Sequence, residues 1–172
     1  MASSRPRLMR YFLDTEYDGF GGPLLSLALV PDDGGDEFYA VIEHESVTNE
    51  WVARHVIPYL DHVPVSQQLP RLGHEQAARS LASWLAREHE AHTLARWPKD
   101  VDTLEIVADW PEDIALFCKL ITTGPGRMVE VPPLSFRLIS IPGFSTAANS
   151  AVPHNALHDA RALRDHIMNH LE

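Results

Sequence analysis

A single cysteine, Cys118, leaves this chain of 172 residues no internal disulfide and no set of thiolates for a zinc centre. Cys118 falls in an apolar helical run, which predicts buried packing rather than nucleophilic chemistry. Apolar runs are also short. None approaches the roughly 18 residues that a membrane span needs, and the basic start Met1-Ala2-Ser3-Ser4-Arg5-Pro6-Arg7 is not followed by an apolar segment of signal length. A cytoplasmic protein without a membrane partner is therefore expected. Positive charge is scarce as well: 14 lysines and arginines face 24 acids, a formal charge of −10. That balance argues against coating nucleic acid by bulk electrostatics. It leaves room for an enzyme that grips a few terminal nucleotides. No internal repeat is visible.

What is present is an ordinary globular composition, 45% hydrophobic and 22% charged, at a length suited to one domain with a real core. Residues 1–8 read as a flexible leader, and residues 9–172 as a single domain. Tyr11–Leu13, Leu24–Val30 and Glu37–Ile42 read as strands joined by turn-rich links, which predicts an antiparallel meander. Asn49 to Leu60 predicts a short helix interrupted at Pro58. A connection through Gly73 leads to an amphipathic helix from His74 to about His89, with Ala78, Leu81, Trp84 and Leu85 as its apolar stripe. Arg79, Arg87 and Glu88 are its expected solvated face. Leu104–Ala108 reads as a fourth strand, followed by a helix carrying Ile114, Leu116, Phe117 and Leu120. A fifth strand is placed near Phe136–Ile139. Pro142 to Pro153 reads as a loop, and the last helix runs from about Asn155 through Ala156, Ala160, Leu163 and Ile167. Antiparallel strands followed by alternating strands and helices predict an α/β fold, a mixed five-stranded sheet flanked by helices in the ribonuclease H-like arrangement.

The chemistry lies in separated acids. In Arg10-Tyr11-Phe12-Leu13-Asp14-Thr15-Glu16 an apolar run ends in two carboxylates one residue apart. Side chains on a strand alternate, so Asp14 and Glu16 point to one side and repel each other. A divalent cation is the simplest resolution, against a strand end that merely turns into solvent. Further on, Asp109 and Glu112 have capping-box spacing with Pro111 at the first turn. Asp113 is then free to project as the third functional carboxylate, with Asp109 as the runner-up and a simple helix-start acid as the bland reading. At the last helix Asp159 adjoins a buried face, and His154 lies five residues earlier, where a loop could aim it at a site from another direction. His154 is a candidate general base. The alternative is a plain loop histidine, and His158 is expected on the exposed helix surface. Tyr17 could seat a nucleobase, worth about 1–3 kcal/mol by stacking, or pack in the core.

Asp14-Thr15-Glu16, the Asp113 region and His154-x-x-x-x-Asp159 together resemble the DEDD exonucleases in their histidine-containing (DEDDh) branch, from about Met9 to Leu171. The opening Met9-Arg10-Tyr11-Phe12-Leu13-Asp14-Thr15-Glu16 and Asp113-Ile114-Ala115-Leu116-Phe117-Cys118 further resemble the bacterial exoribonuclease RNase AS family. That resemblance implies two Mg²⁺ or Mn²⁺ ions held by Asp14, Glu16, Asp113 and Asp159, with His154 as base. It also implies release of nucleoside 5′-monophosphates from a single-stranded RNA 3′ end, a preference for adenylate, and a homodimer. Relatives carry Asn and Phe before the third acid, where this chain has Asp109-Trp110-Pro111-Glu112. Two other readings stand beside it: the same chemistry on DNA or short oligonucleotides, and a catalytically silent nucleic-acid-binding module. A third, a helical HD-type phosphohydrolase read from His158-Asp159, conflicts with the strands that precede the doublet.

Overall fold

Alternation along one strand sets the layers of this molecule. The computed structural model describes residues 8–95 and 103–170. Its first strand, β1 (Arg10–Tyr17), buries Tyr11 and Leu13 on one face and Phe12 on the other, all fully inaccessible. A strand buried on both faces must lie centrally, and β1 is the middle of a five-stranded sheet. β2 (Leu24–Pro31) pairs antiparallel with β1, and β3 (Phe38–Val41) pairs antiparallel with β2 at the edge. On the other side β4 (Leu104–Ala108) runs parallel to β1. The sheet is thus mixed, as expected. β1 is longer than its apolar core predicts, because the β1–β2 ladder continues through Asp14↔Ala28 and Glu16↔Ser26 to Tyr17↔Leu24. The acids sit within the strand, not past its end.

Between β3 and β4 lie α1 (Glu50–His55) and α2 (His74–Ala95). Pro58 ends the first of these as anticipated, in a short 3₁₀ turn over Ile57–Tyr59. α2 runs beyond His89, and its Ala77, Leu81, Trp84 and Leu85 pack on Tyr11, Leu13, Leu27 and Leu29. Trp84 meets Tyr11 edge-on at 5.2 Å. Glu88 is not part of a solvated face: it accepts the buried Tyr11 hydroxyl at 2.9 Å. α3 (Pro111–Ile121) follows β4 and packs beside α2. It presents Leu116, Phe117, Leu120 and Ile121 to the core, which leaves Cys118 outward and exposed. The expectation of a buried cysteine is therefore corrected by helical phase.

A small hairpin, β5 (Thr122–Gly124) with β6 (Arg127–Met128), turns through Pro125 and Gly126. β7 (Leu134–Leu138) closes the sheet parallel to β4, starting two residues earlier than predicted. The segment after it is not all loop, since Ser145 caps the four-residue α4 (Thr146–Asn149). α5 (Ala156–His170) covers the face opposite α2 and α3, with Ala156, Leu157 and Ala160 against Val52 and Val56 of α1. Helices on both faces of the sheet leave one open end, at the carboxyl ends of β1 and β4. Among the described residues no helix is long and apolar enough to cross a membrane. The predicted leader, through Arg7, lies outside the described residues.

Candidate metal centre

Parallel pairing places the first acids together. β1 and β4 are in register at Phe12↔Val107. Continuing that register brings Asp109 level with Asp14, where both strands reach the open end of the sheet. From the first turn of α3, Asp113 reaches back: its Oδ1 accepts the Thr15 N–H at 3.1 Å and the Thr15 hydroxyl at 2.6 Å. Oxygens of Asp14, Asp109 and Asp113 all lie within 4.8 Å of one another. Thr15 alternates to the face opposite Asp14 and Glu16, so it supports the site from beneath.

α5 supplies the second half. Asn155 is fully buried and starts that helix: its Oδ1 accepts the N–H groups of Leu157 and His158, and its Nδ2 donates to the Tyr59 carbonyl at 2.8 Å. This fixes the chain just before the helix, where His154 adopts a left-handed φ of 61°. A non-glycine residue held there signals a backbone constrained by its surroundings. The conformation points the His154 N–H at Asp159 Oδ2, 3.3 Å away. A His154 ring nitrogen and carboxylate oxygens of Glu16 and Asp159 lie within 4.8 Å of one another. His158 turns away and is half-buried, its Nε2 2.9 Å from the His62 carbonyl oxygen.

The structure thus brings together Asp14, Glu16, Asp113, His154 and Asp159, and with them Asp109, the runner-up for the third acid. The proposed capping box does not form. Trp110, in extended conformation, precedes the helix with no side-chain cap, and Glu112 instead accepts the Gly21 N–H at 3.1 Å. Pro111 does take the first helical turn.

Burial and mutual repulsion load this site. Asp14 is held well above the usual carboxylate range, first by burial, then by Asp113, Asp159, Glu16 and Asp109. Glu16 is raised by burial and by Asp159 and Asp113. Asp113 is pushed up to about 7 by burial, although the Thr15 hydrogen bonds pull it down. Burial raises Asp159 to about 6 against the opposing effect of Ser150 and the His154 N–H. Asp109 is also raised by burial. His154 is lowered, by burial and then by His55, which favours the neutral imidazole. Among the described residues no lysine or arginine forms an ion pair with any of these acids.

One atom tests whether cations suit the place. Asp159 Oδ1 is buried without a hydrogen-bond partner, in a residue only 3% exposed, and the neighbouring Ser150 hydroxyl, close enough to lower this carboxyl, is likewise buried and unpaired. An unpaired buried carboxylate oxygen is costly unless a cation or proton meets it. Hard divalent ions with oxygen ligands fit this donor set.

The acids line a cleft of about 520 Å³ with aromatic walls. Tyr17 is half-buried there, 6.2 Å from the exposed Phe20 ring, and Phe20 is 6.2 Å from Trp110. Opposite, Trp51 lies edge-on to His154 at 4.8 Å and stacks on His55 at 4.7 Å. Sequence reasoning overlooked Thr15, Asn155 and Trp51. An asparagine ahead of an apolar helical pattern was a usable signal for Asn155. Thr15 and Trp51 had none, since their roles depend on contacts with distant segments. No protein-family model matches this chain, and no curated protein is significantly similar to it in sequence.

Proposed function

We propose that this chain is a divalent-metal-dependent 3′→5′ exoribonuclease of the DEDDh kind, its mixed sheet being of the ribonuclease H-like type. The observation that carries this reading is the convergence of Asp14, Glu16, Asp113, Asp159 and His154, from three separate parts of the chain, on one cleft. Two bound ions of the Mg²⁺ or Mn²⁺ class would neutralise the phosphoryl oxygens and the leaving 3′-oxygen and make water more acidic. Asp14, Glu16, Asp113 and Asp159 would hold them.

The protein's own residues do the remainder. His154, neutral and fixed on its backbone, accepts a proton from the attacking water. The water oxygen bonds to the terminal phosphorus, the bond from phosphorus to the preceding 3′-oxygen breaks, and that oxygen leaves with a proton. A nucleoside 5′-monophosphate and a shortened RNA with a 3′-hydroxyl result. Tyr17 and its aromatic neighbours offer ring faces to the terminal bases, a recognition mode that tolerates a net negative protein.

The test is a 5′-labelled single-stranded RNA with an adenylate tail, incubated with Mg²⁺ or Mn²⁺. Parallel reactions contain a chelator, the Asp14→Asn protein, a uridylate tail, and DNA. The expected result is a ladder that shortens from the 3′ end and disappears with chelator or mutation. Shortening of DNA alone would reassign the substrate. Binding without shortening of either would make the protein a silent nucleic-acid-binding module.

A further inference from the structure

Asp109 is the acid in the cleft whose place the fold does not explain. It does not cap α3, whose start is Trp110, and Glu112 is engaged with Gly21. Instead it directly follows β4 and brings an oxygen within 4.8 Å of those of Asp14 and Asp113. Both neighbours are buried, and among the described residues no lysine or arginine forms an ion pair with any of the three. Asp159 provides an independent sign that the cleft accepts cations: its Oδ1 is unpartnered and almost wholly buried, in the second ligand group of the same cleft.

The two groups differ in charge. Asp14, Asp109 and Asp113 offer three carboxylates, formally −3 when ionised. Glu16 and Asp159, beside the His154 imidazole, offer two carboxylates, formally −2. Hard cations favour oxygen ligands, and affinity among similar sites rises with ligand charge. We propose that Asp109 is a fifth carboxylate ligand, completing the Asp14–Asp109–Asp113 group as the tighter of two cation sites, filled before the Glu16–Asp159 pair. The use made of the two ions rests on the exoribonuclease reading; the order in which they bind does not.

The experiment is a Mn²⁺ titration of the metal-free full chain, with free Mn²⁺ followed by electron paramagnetic resonance and heat by calorimetry. Two classes of site are expected. Asp109→Asn, which keeps the shape and removes the charge, should weaken the tighter class by about tenfold or more. Asp109→Glu should recover part of that loss. Glu16→Gln should weaken only the looser class, and Glu112→Gln should leave both within about twofold, as a charge outside both groups. Circular dichroism checks that each variant is folded, and the Glu variant keeps the test sharp if Asn perturbs the strand end. Unchanged tight binding in Asp109→Asn, a loss confined to the looser class, or no Mn²⁺ bound by the unmodified protein would each overturn the proposal. RNA shortening with Asp109→Asn binding unchanged refutes the fifth ligand and leaves the exoribonuclease. Ordered Mn²⁺ binding that depends on Asp109, without shortening of any RNA, does the reverse.

Discussion

Asp113 and Asp159 illustrate how buried carboxylates that could hold a cation destabilise the protein without one. Folding raises Asp113 from 3.8 to about 7 and Asp159 from 3.8 to about 6. The folded state therefore binds protons more readily than the unfolded chain. That contribution to stability is complete below the unfolded value and is lost as pH rises through 6 and then 7. The metal-free protein should melt at a higher temperature near about pH 5 than near about pH 8. His154, lowered by burial and His55, works in the opposite direction, as one half-buried imidazole against several buried carboxylates. Glu37 is lowered by Arg161 and Gln67 despite its burial, and loses its contribution only at pH below this window. Melts in chelator at the two pH values decide the matter, and equal midpoints would refute it. Asp113→Asn should raise the metal-free midpoint at the higher pH, by a stabilisation of roughly 1–3 kcal/mol. Under the proposed exoribonuclease activity, the same class of change should abolish turnover. Asp14→Asn should reduce hydrolysis by at least about 100-fold, the upper end of what losing an outer-sphere partner costs at a metal site. A labelled-RNA time course measures it.

Among the elements, α1 shows how a short helix can serve a distant loop. Asn49 accepts the Trp51 and Val52 N–H groups at 2.9 and 3.2 Å, and Asp18 binds Thr48 and the Asn49 N–H from the β1–β2 turn. The helix then presents Trp51 to the edge of the His154 ring. Asn49→Ala should cost about 1 kcal/mol of stability through loss of the cap, read from denaturant midpoints. Trp51→Ala should lower kcat several-fold with Mn²⁺ affinity unchanged, because it frees the imidazole without touching the acids. Trp51→Phe should restore much of the rate. Equal weakening of metal binding by Trp51→Ala would show that the ring supports the acids instead. Because His154 is held below the ordinary 6.5, the acid limb of the rate profile should lie below that value, provided one imidazole accepts the proton.

At the scale of the whole molecule, six ionisable side chains sit at one open end of a sheet that is otherwise closed by helices. Charge concentrated there must be met by protons or cations, and cations that bind only the folded state stabilise it by mass action. Mg²⁺ or Mn²⁺ at about 100 times its Kd should add about 2.7 kcal/mol per site. For a chain of this size that is a rise of roughly 5–10 °C in melting temperature. Excess chelator should reverse it, and an Asp14→Asn, Asp159→Asn protein should lose it. A melting temperature indifferent to divalent ions in the unmodified protein would count against the metal centre as a whole.

Much of this was legible in the residues. Alternation in Tyr11-Phe12-Leu13-Asp14-Thr15-Glu16 put both acids on one face, because side-chain period follows directly from strand geometry. The helix over residues 74–89 and the order of the three antiparallel strands followed from periodicity and turn chemistry. Local chemistry also placed His154 ahead of the last helix. Other assignments needed the fold. Asp109 and Glu112 have the spacing of a cap, yet the parallel register of β1 and β4 takes Asp109 to Asp14, and the β1–β2 turn takes Glu112. Thr15 beneath Asp113, Asn155 on Tyr59 and Trp51 against His154 all join segments far apart in the chain. Periodicity reports which face a residue occupies. What lies opposite that face is decided by strand register and helix packing, which no local pattern encodes.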